Sequence, residues 1–495
     1  MRLPKRDSIH DSDVRGEAAE SVAPVVEECQ ESMTGWQRYR RRAASTLRQA
    51  IPWASKSGFA MMDQGFISGS NFLLSIVLAR WMSADQYGAY ALAFSIFVLL
   101  SLLYMAMVLE PMAVLGPATY RGSLRGYLKS LLWIHLALTG VIFVTLGISS
   151  ASAAFWGHSP GLAGALGGAM LASPCVLLFW LARRTFYLEL SPASAAVGAV
   201  LYCAVSLAGL YIIRWSGRLS PFSAFLPMAV AALFTTVLLY YRLRPSLRPA
   251  GLDVRTSEVW RRHWGYGRWA LASSIASWIP AYIYYPLLTS FSGMSQSGEL
   301  KALMNLVAPM QQTQAALSML FLPYAARVYG EQGKGAVGAI TRRVTMMSLA
   351  VSAIYWAFVI PFRGPVFHAL YAGRYMEVAY LIPAVAIGAV LWSGASGSSI
   401  VLRAMGSPAS VFAAFIASGI ISLAVGIPAC RYYGIVGAVW GMNLADAGAL
   451  LMVGMLLRRK SSLHSGWQWS IGNRVAQPVD VSDRCPDPPV PVSSL

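Results

Sequence analysis

The stretch MMDQGFISGSNFLLSIVLARWMS, residues 61–83, combines an apolar composition with a regular row of polar side chains. The row consists of Gln64, Ser68, Asn71 and Ser75, spaced four, three and four residues apart. Residues at these spacings stack on one face of a helix, so the stretch predicts a membrane helix with a polar stripe. Buried polar groups in hydrocarbon need partners or water, which indicates that the stripe faces a bundle interior or an aqueous cavity.

The same stretch allows a second interpretation, in which this face only packs against another helix. Gly65 and Gly69 lie beside Ser68 and Ser75, and small residues of this kind let membrane helices approach closely. Both interpretations stay open from this stretch alone, and a cavity is favoured where other helices repeat the polar pattern.

The composition indicates an all-α, polytopic membrane protein. Of the 495 residues 56% are hydrophobic and only 12% are charged, whereas soluble domains carry about 25% charged residues. A span needs about 20 apolar residues. The sequence predicts twelve spans, at about 59–80, 88–110, 128–150, 162–182, 192–213, 221–241, 266–290, 301–325, 344–362, 378–402, 409–429 and 435–457.

The distribution of basic residues predicts the topology and accounts for much of the formal charge of +18. With a cytoplasmic amino terminus, the predicted inner loops hold nineteen Lys and Arg residues and the outer loops six. Cytoplasmic loops carry the excess of Lys and Arg, so both termini are predicted to be cytoplasmic. No nucleic-acid partner is needed to explain this charge.

The chain is predicted to divide into two six-helix lobes, residues 57–241 and 265–457, joined by a basic cytoplasmic connection at 242–264. Residues 1–56 are predicted to be a disordered cytoplasmic extension that ends in a basic run, which favours contact with anionic membrane lipids. Residues 458–495 are predicted to be a disordered cytoplasmic tail. A glycine after a short polar turn recurs at Gly88 and Gly298, one in each lobe.

Further polar stripes and cations predict a substrate cavity. Span eight carries Lys301, Asn305, Gln311 and Gln312 around Pro309, and span ten carries Ser396 and ends in Arg403. Arg80 and Arg268 add cations near the membrane boundary, although each is also explained as a flanking anchor. Cations and amides around one cavity favour an anionic solute, particularly a phosphate or pyrophosphate that arginine binds with two hydrogen bonds.

Three acids lie within or near the spans: Asp63, Glu110 and Asp446. Ionisable residues inside a membrane indicate function by default, so ion coupling through these acids is a hypothesis, with Asp446 the deepest of the three. Trp278, Tyr282, Tyr284 and Tyr285 cluster in span seven. Such aromatic clusters are typical of the membrane interface, and they also stack on sugar rings.

Enzyme chemistry and cofactors find no support in the sequence. There is no Walker-type loop, metal-ligand cluster or nucleophile motif, and His158 and His368 stand in short predicted loops. We expect no enzyme activity, no cofactor and no metal.

The segments DQGFISGSNFLLSIVLARWMSADQYGAYALAFS (63–95) and LEPMAVLGPATY (109–120) resemble polysaccharide biosynthesis membrane proteins of the Wzx type. These are flippases of the multidrug/oligosaccharidyl-lipid/polysaccharide exporter superfamily. The YAGRY turn at 371–375 and the RAMGSP turn at 403–408 are similar to the family's turns.

The resemblance implies a MATE-like V of two lobes, a central cationic cavity and alternating access that moves a polyprenyl-pyrophosphate-linked oligosaccharide across the inner membrane. It also implies a role in exopolysaccharide, capsule or O-antigen biosynthesis, beside polysaccharide polymerase and export machinery. Two alternatives stay open: a multidrug or organic-cation antiporter of the same fold, and a membrane-embedded polysaccharide ligase or transferase.

Overall fold

The computed structural model describes residues 35–156, 160–189, 191–243 and 254–462, and this part of the chain folds into helices and short connections. The amino-terminal half holds α1 Gly35–Trp81, α2 Ala84–Tyr104, α3 Glu110–Thr119, α4 Leu124–Phe155, α5 Pro160–Leu188, α6 Pro192–Trp215 and α7 Leu226–Leu243. The carboxy-terminal half holds α8 Thr256–Tyr282, α9 Tyr284–Ser292, α10 Met294–Asn305, α11 Ala308–Gln332, α12 Val337–Val359, α13 Arg363–Tyr371, α14 Ile382–Ala404, α15 Pro408–Ala424 and α16 Gly426–Ser462. The π-helical segment Met105–Leu109 joins α2 to α3.

Eight helical segments in the described part are long and apolar enough to cross a membrane, which makes this a multi-pass membrane protein. They are Ala84–Thr119, Leu124–Phe155, Pro160–Leu188, Pro192–Trp215, Ser223–Arg242, Val337–Val359, Met376–Ala404 and Gly426–Lys460. Each corresponds to one predicted span, and the count of twelve stays a prediction.

The other four predicted spans lie on helices that differ from the expectation. Predicted span seven is divided between α8 and α9 at Ile283, and span eight is divided between α10 and α11 just before Pro309. Each division lies close to a proline, Pro280 or Pro309, and proline cannot donate a backbone hydrogen bond within a helix. Span eleven corresponds to α15, which has only 17 residues. Span one lies within α1, whose polar residues lower its hydropathy.

The first helix begins earlier than expected. Residues 35–56, which the sequence analysis assigned to the disordered extension, belong to α1 in the structure. The segment 35–51 is rich in Arg, Ala and Gln, which are strong helix formers, and it contains no proline. Residues 1–34 and 463–495, the rest of the predicted extension and most of the predicted tail, lie outside the described residues.

Helices pack mainly against others of the same half of the chain. In the first half α1 packs on α6, and α5 packs on α2, α4 and α7. In the second half α14 packs on α11, α12 and α16, and α15 packs on α8 and α16. The division at 242–264 stays a prediction.

The two halves meet through α2 and α10. These helices are so close that the contact leaves no room for a Cβ atom at Gly88 or Gly298. A Cβ atom added to Gly88 would lie 1.9 Å from the carbonyl oxygen of Met294, and one added to Gly298 would lie 2.6 Å from the carbonyl oxygen of Ala84. Both positions therefore require glycine. The two recurrent glycines of the sequence form one contact between the halves.

Candidate functional site

A central cavity of about 870 Å³ lies between helices of both halves. Its walls come mainly from α1, α2, α8, α10, α11, α14, α15 and α16. The cavity brings together ten of the residues predicted from sequence: Ser68, Asn71, Ser75, Lys301, Asn305, Gln311, Gln312, Ser396, Arg403 and Asp446. Their role in binding a substrate stays a prediction.

A buried hydrogen-bond network lies beside the cavity, and two of its members, Ser75 and Asn305, line the cavity wall. The Ser75 hydroxyl donates to the Asn305 Oδ1 at 2.9 Å and lies 2.7 Å from the Tyr87 hydroxyl. The Asn305 Nδ2 donates to the hydroxyls of Tyr87, at 3.1 Å, and Tyr371, at 3.3 Å. Tyr371 donates in turn to the backbone oxygen of Ala302 at 2.9 Å. The network ties α1, α2, α10 and α13 together on the predicted outer side.

Lys301 brings a positive charge next to this network. Its Nζ lies 4.9 Å from the centre of the Phe94 ring, within the range of a cation–π interaction. Among the described residues, no carboxylate forms an ion pair with Lys301. The ammonium group therefore lies at the cavity wall with its charge available to an anion.

Arg403 brings a second cation to the cavity wall. It is the penultimate residue of α14, and its NH2 donates to the Ser318 hydroxyl of α11 at 3.0 Å. The side chain is exposed, and Ser399 lines the cavity one helical turn before it. The stripe Ser396, Ser399 and Arg403 thus follows α14 toward the predicted inner side.

Asp446 lies on α16 at the cavity wall beside Asn443. The Asn443 Nδ2 donates to the backbone oxygen of Ala384 at 2.9 Å, which joins α16 to α14. A Cβ atom on Gly388 would lie 2.2 Å from the Asn443 Oδ1 and 3.5 Å from the Asp446 Oδ2. Glycine at 388 therefore leaves the space that these two polar side chains occupy.

Three predicted cavity residues lie elsewhere. The exposed Gln64 donates to the Ser68 hydroxyl at 3.3 Å and does not line the cavity. Arg80 donates to the backbone oxygen of Ala369 at 3.3 Å, on the predicted outer side. Arg268 is exposed and its guanidinium lies 5.7 Å from the ring of Trp269, its own neighbour. Arg80 and Arg268 fit the anchor interpretation better than the cavity interpretation.

Two of the three predicted ion-coupling acids also lie outside the cavity. Asp63 is buried and accepts two hydrogen bonds from Arg183, at 2.9 and 2.6 Å, and one from the Tyr187 hydroxyl at 2.6 Å. This ion pair fastens α1 to α5. Glu110 is partly buried at the first position of α3. Asp446 is the acid that the fold brings to the cavity.

The sequence analysis missed an aromatic wall. Tyr90, Phe94 and Phe97 of α2 line the cavity, together with Trp180 and Trp392. The spacing of four and three residues between the α2 aromatics is the helical signal that would have revealed them. From the aromatic cluster of span seven, Tyr282 and Tyr285 line the cavity, whereas the Trp278 Nε1 donates to the backbone oxygen of Ser95 at 3.1 Å.

The cavity therefore combines two cations at separate positions, one carboxylate, several amides and hydroxyls, and broad aromatic faces. Charged donors and amides bind phosphate and hydroxyl groups, and aromatic faces cover the apolar faces of rings. The described residues contain no group of three or more His, Cys, Asp or Glu side chains that could hold a metal ion. The cavity thus offers both polar and apolar groups for contact with a solute.

Comparison with known proteins assigns the fold. No protein-family model and no curated protein matches the sequence. Among solved structures, an inward-facing multidrug resistance MATE family transporter of the MOP superfamily is similar, with a TM-score of 0.65, 16% identity, and coverage of 81% of this chain and 94% of that chain.

Two further structures extend this likeness. The lipid II flippase MurJ, in an inward closed conformation, gives a TM-score of 0.64 at 10% identity and covers 81% of this chain and 88% of its own. A MOP superfamily transporter from Pyrococcus furiosus, described by the reverse polarity of its binding pocket, gives 0.58 at 15% identity, with 82% and 94% covered. The chain has the fold of MOP superfamily transporters.

Proposed function

We propose that the protein translocates a polyprenyl-pyrophosphate-linked oligosaccharide across the inner membrane by alternating access, for exopolysaccharide, capsule or O-antigen biosynthesis. The observation that carries this proposal is the central cavity, in which Lys301 and Arg403 stand at separate positions among amides and aromatic faces. A flippase must shelter a diphosphate and many hydroxyls from hydrocarbon while the lipid tail stays in the membrane. These are the groups that the cavity offers partners for.

The twelve-span topology is part of this proposal, and the contacts between distant segments support it. On the predicted outer side, Arg374 donates to the Met82 backbone oxygen, and the backbone nitrogen of Ile435 donates to Gln296. On the predicted inner side, Arg183 contacts Asp63.

His263 makes two further contacts on the predicted inner side. The Nε2 of His263 lies 2.9 Å from the Tyr127 hydroxyl, and its Nδ1 lies 2.9 Å from the Met107 backbone oxygen. Each of these contacts joins two segments that the twelve-span topology places on the same side of the membrane. Between the two segments the topology has an even number of crossings.

Ion coupling through Asp446 belongs to the same proposal. A carboxylate at the wall of a membrane cavity can exchange a proton or bind a cation, and either event changes the charge that the cavity offers to its substrate. We expect that Asp446→Asn abolishes the dependence of transport on pH or on a cation gradient. Transport by this variant that keeps the wild-type dependence would remove Asp446 from the coupling.

The second candidate is a drug or organic-cation antiporter, and the position of Asp446 favours it. A cation substrate needs a carboxylate partner, and Asp446 supplies one. Against this candidate, the cavity holds two cations, Lys301 and Arg403, for one acid. A ligase or transferase is the third candidate, and it would need a reactive histidine. Among the described residues, His368 is exposed in α13 and does not line the cavity.

One experiment separates the three candidates. Deletion of the gene should remove surface polysaccharide and accumulate lipid-linked intermediates on the cytoplasmic side, and the wild-type gene should reverse both effects. Normal polysaccharide with raised drug sensitivity would favour the antiporter, and unattached glycan outside the cell would favour the ligase.

Complementation of the deletion with Lys301→Gln tests the role of the cavity, because this variant should restore little polysaccharide.

A further inference from the structure

A second cavity, of about 750 Å³, lies where the carboxy-terminal part of α11 faces the amino-terminal part of α12. We call it the α11–α12 groove. Its walls include Tyr324 and Val328 of α11 and Ile340, Arg342, Arg343 and Met346 of α12. It shares no lining residue with the central cavity. The sequence topology places this end of both helices on the inner side of the membrane.

The groove has a cationic part and an apolar part. Arg342 and Arg343 are exposed, and Arg343 donates to the Tyr324 hydroxyl at 2.9 Å, which fixes its guanidinium across the groove between the two helices. The side chains of Met346 and Met347 are 59% and 43% exposed. Its ten lining residues include no acid, so no carboxylate of the groove wall competes with an anion for the two guanidinium groups.

The order of these groups along α12 matches the order of groups in a phospholipid. The arginines precede the methionines by one helical turn, and α12 runs from the predicted inner side into the membrane. A phosphate at the arginines would therefore sit at headgroup level while its acyl chain lies along Met346 and Met347. Arginine binds phosphate oxygens with paired hydrogen bonds, and methionine adapts to flexible apolar partners.

We propose that the α11–α12 groove is a binding site for an anionic phospholipid of the cytoplasmic leaflet. Arg342 and Arg343 bind the headgroup phosphate, and Met346 and Met347 contact an acyl chain. The net charge of the lipid decides its selection, since the cytoplasmic leaflet presents anionic headgroups to basic surfaces. The proposal concerns a lipid of the surrounding membrane and does not depend on what the central cavity transports.

The test uses the purified full-length protein in phosphatidylcholine nanodiscs that contain a photoreactive phosphatidylglycerol. We expect illumination to label the peptides that carry Tyr324 and Met346. In Arg342→Gln/Arg343→Gln, labelling should fall about tenfold, because a charge-assisted hydrogen bond is worth at least about 1.4 kcal/mol, the equivalent of tenfold in affinity. The matched control Arg255→Gln/Arg261→Gln removes two inner-side cations outside the groove and should keep wild-type labelling.

A second variant guards against misfolding of the double mutant. Met346→Glu keeps both arginines and places a carboxylate on the apolar side of the groove, so it should also reduce labelling.

Equal labelling of wild type and the double variant would overturn the proposal, as would equal labelling by a photoreactive phosphatidylcholine. Loss of labelling on addition of inorganic phosphate would make the groove a site for free anions, and loss on addition of a peptide of residues 1–34 would assign it to the chain's own acidic extension. Either result would overturn a lipid site.

Discussion

In the proposed function, Lys301 is the residue on which anion binding depends most directly. It lies in the cavity beside Phe94, and the described residues give it no acidic partner. A hydrogen bond to a charged group is worth about 1.5–3 kcal/mol, so Lys301→Gln should lower substrate affinity roughly tenfold or more. Transport assays at increasing substrate concentration measure this loss, and Lys301→Arg should keep most of the activity.

The control for this prediction is Arg214→Gln. Arg214 is an exposed cation near the carboxy terminus of α6, and it does not line the cavity. Its removal lowers the net charge of the protein by the same amount without changing the cavity. An equal loss of affinity in both variants would show that Lys301 acts through overall charge and not through contact with the substrate.

The ion pair between Asp63 and Arg183 belongs to the architecture of the fold. The side chains are only 1% and 12% exposed, and Tyr187 adds a third hydrogen bond to the carboxylate. Asp63→Asn leaves a buried guanidinium without its partner, which costs about 3–5 kcal/mol in the free energy of unfolding. Thermal unfolding in detergent should show this loss, and Asp63→Asn/Arg183→Gln should be less destabilised than the sum of the single variants.

The exposed ion pair between Arg327 and Glu331 provides the comparison. Its side chains are 79% and 55% exposed, and the two residues are four apart on one helix. Glu331→Gln should change the unfolding temperature little, because water screens an exposed pair. A similar shift in Glu331→Gln and Asp63→Asn would contradict the structural role of the buried pair.

At the scale of the helix, the contact between α2 and α10 depends on two glycines. Gly88→Ala would place its Cβ 1.9 Å from the Met294 carbonyl oxygen, so the two helices must move apart. Overpacking of this kind typically costs about 1–3 kcal/mol. The unfolding temperature of Gly88→Ala should fall, whereas that of Gly140→Ala, on α4 with open space around its Cβ, should stay level or rise. The reverse order would contradict this packing.

The sequence predicted helices and their polar faces better than their breaks and partners. The stripe from Ser68 to Ser75 follows from spacing within one helix, and Ser68, Asn71 and Ser75 line the cavity, whereas Gln64 of the same stripe does not. The bond between Ser75 and Asn305 joins residues 230 positions apart, and no local pattern reveals it. The same limit applies to Asp63, since its partner Arg183 lies 120 positions away on another helix.

Helix ends were the least predictable feature. Pro280 and Pro309 were visible in the sequence, yet hydropathy continues across both and so predicted uninterrupted spans there. The structure instead divides these segments at Ile283 and before Pro309, and Lys301 and Gln312 consequently belong to two separate helices that both reach the cavity.

At the scale of the whole molecule, hydropathy predicted the eight apolar helices, whereas the topology that the charge pattern predicts stays a prediction. The excess of basic residues on the predicted inner side agrees with contacts such as that between His263 and Tyr127, which join predicted inner segments of the two halves. The chain has the fold of MOP superfamily transporters, and cations, amides and aromatic rings line its central cavity. Under the proposed function, these side chains decide what the molecule carries.

The most direct test is translocation by the purified protein in proteoliposomes that contain a polyprenyl-pyrophosphate-linked oligosaccharide. The fraction of oligosaccharide that becomes accessible to a glycosidase on the far side of the membrane is measured over time. We predict rapid exposure with the wild-type protein and a roughly tenfold slower exposure with Lys301→Gln at limiting substrate. Exposure no faster than in protein-free liposomes, or equal rates for the two proteins, would contradict the account.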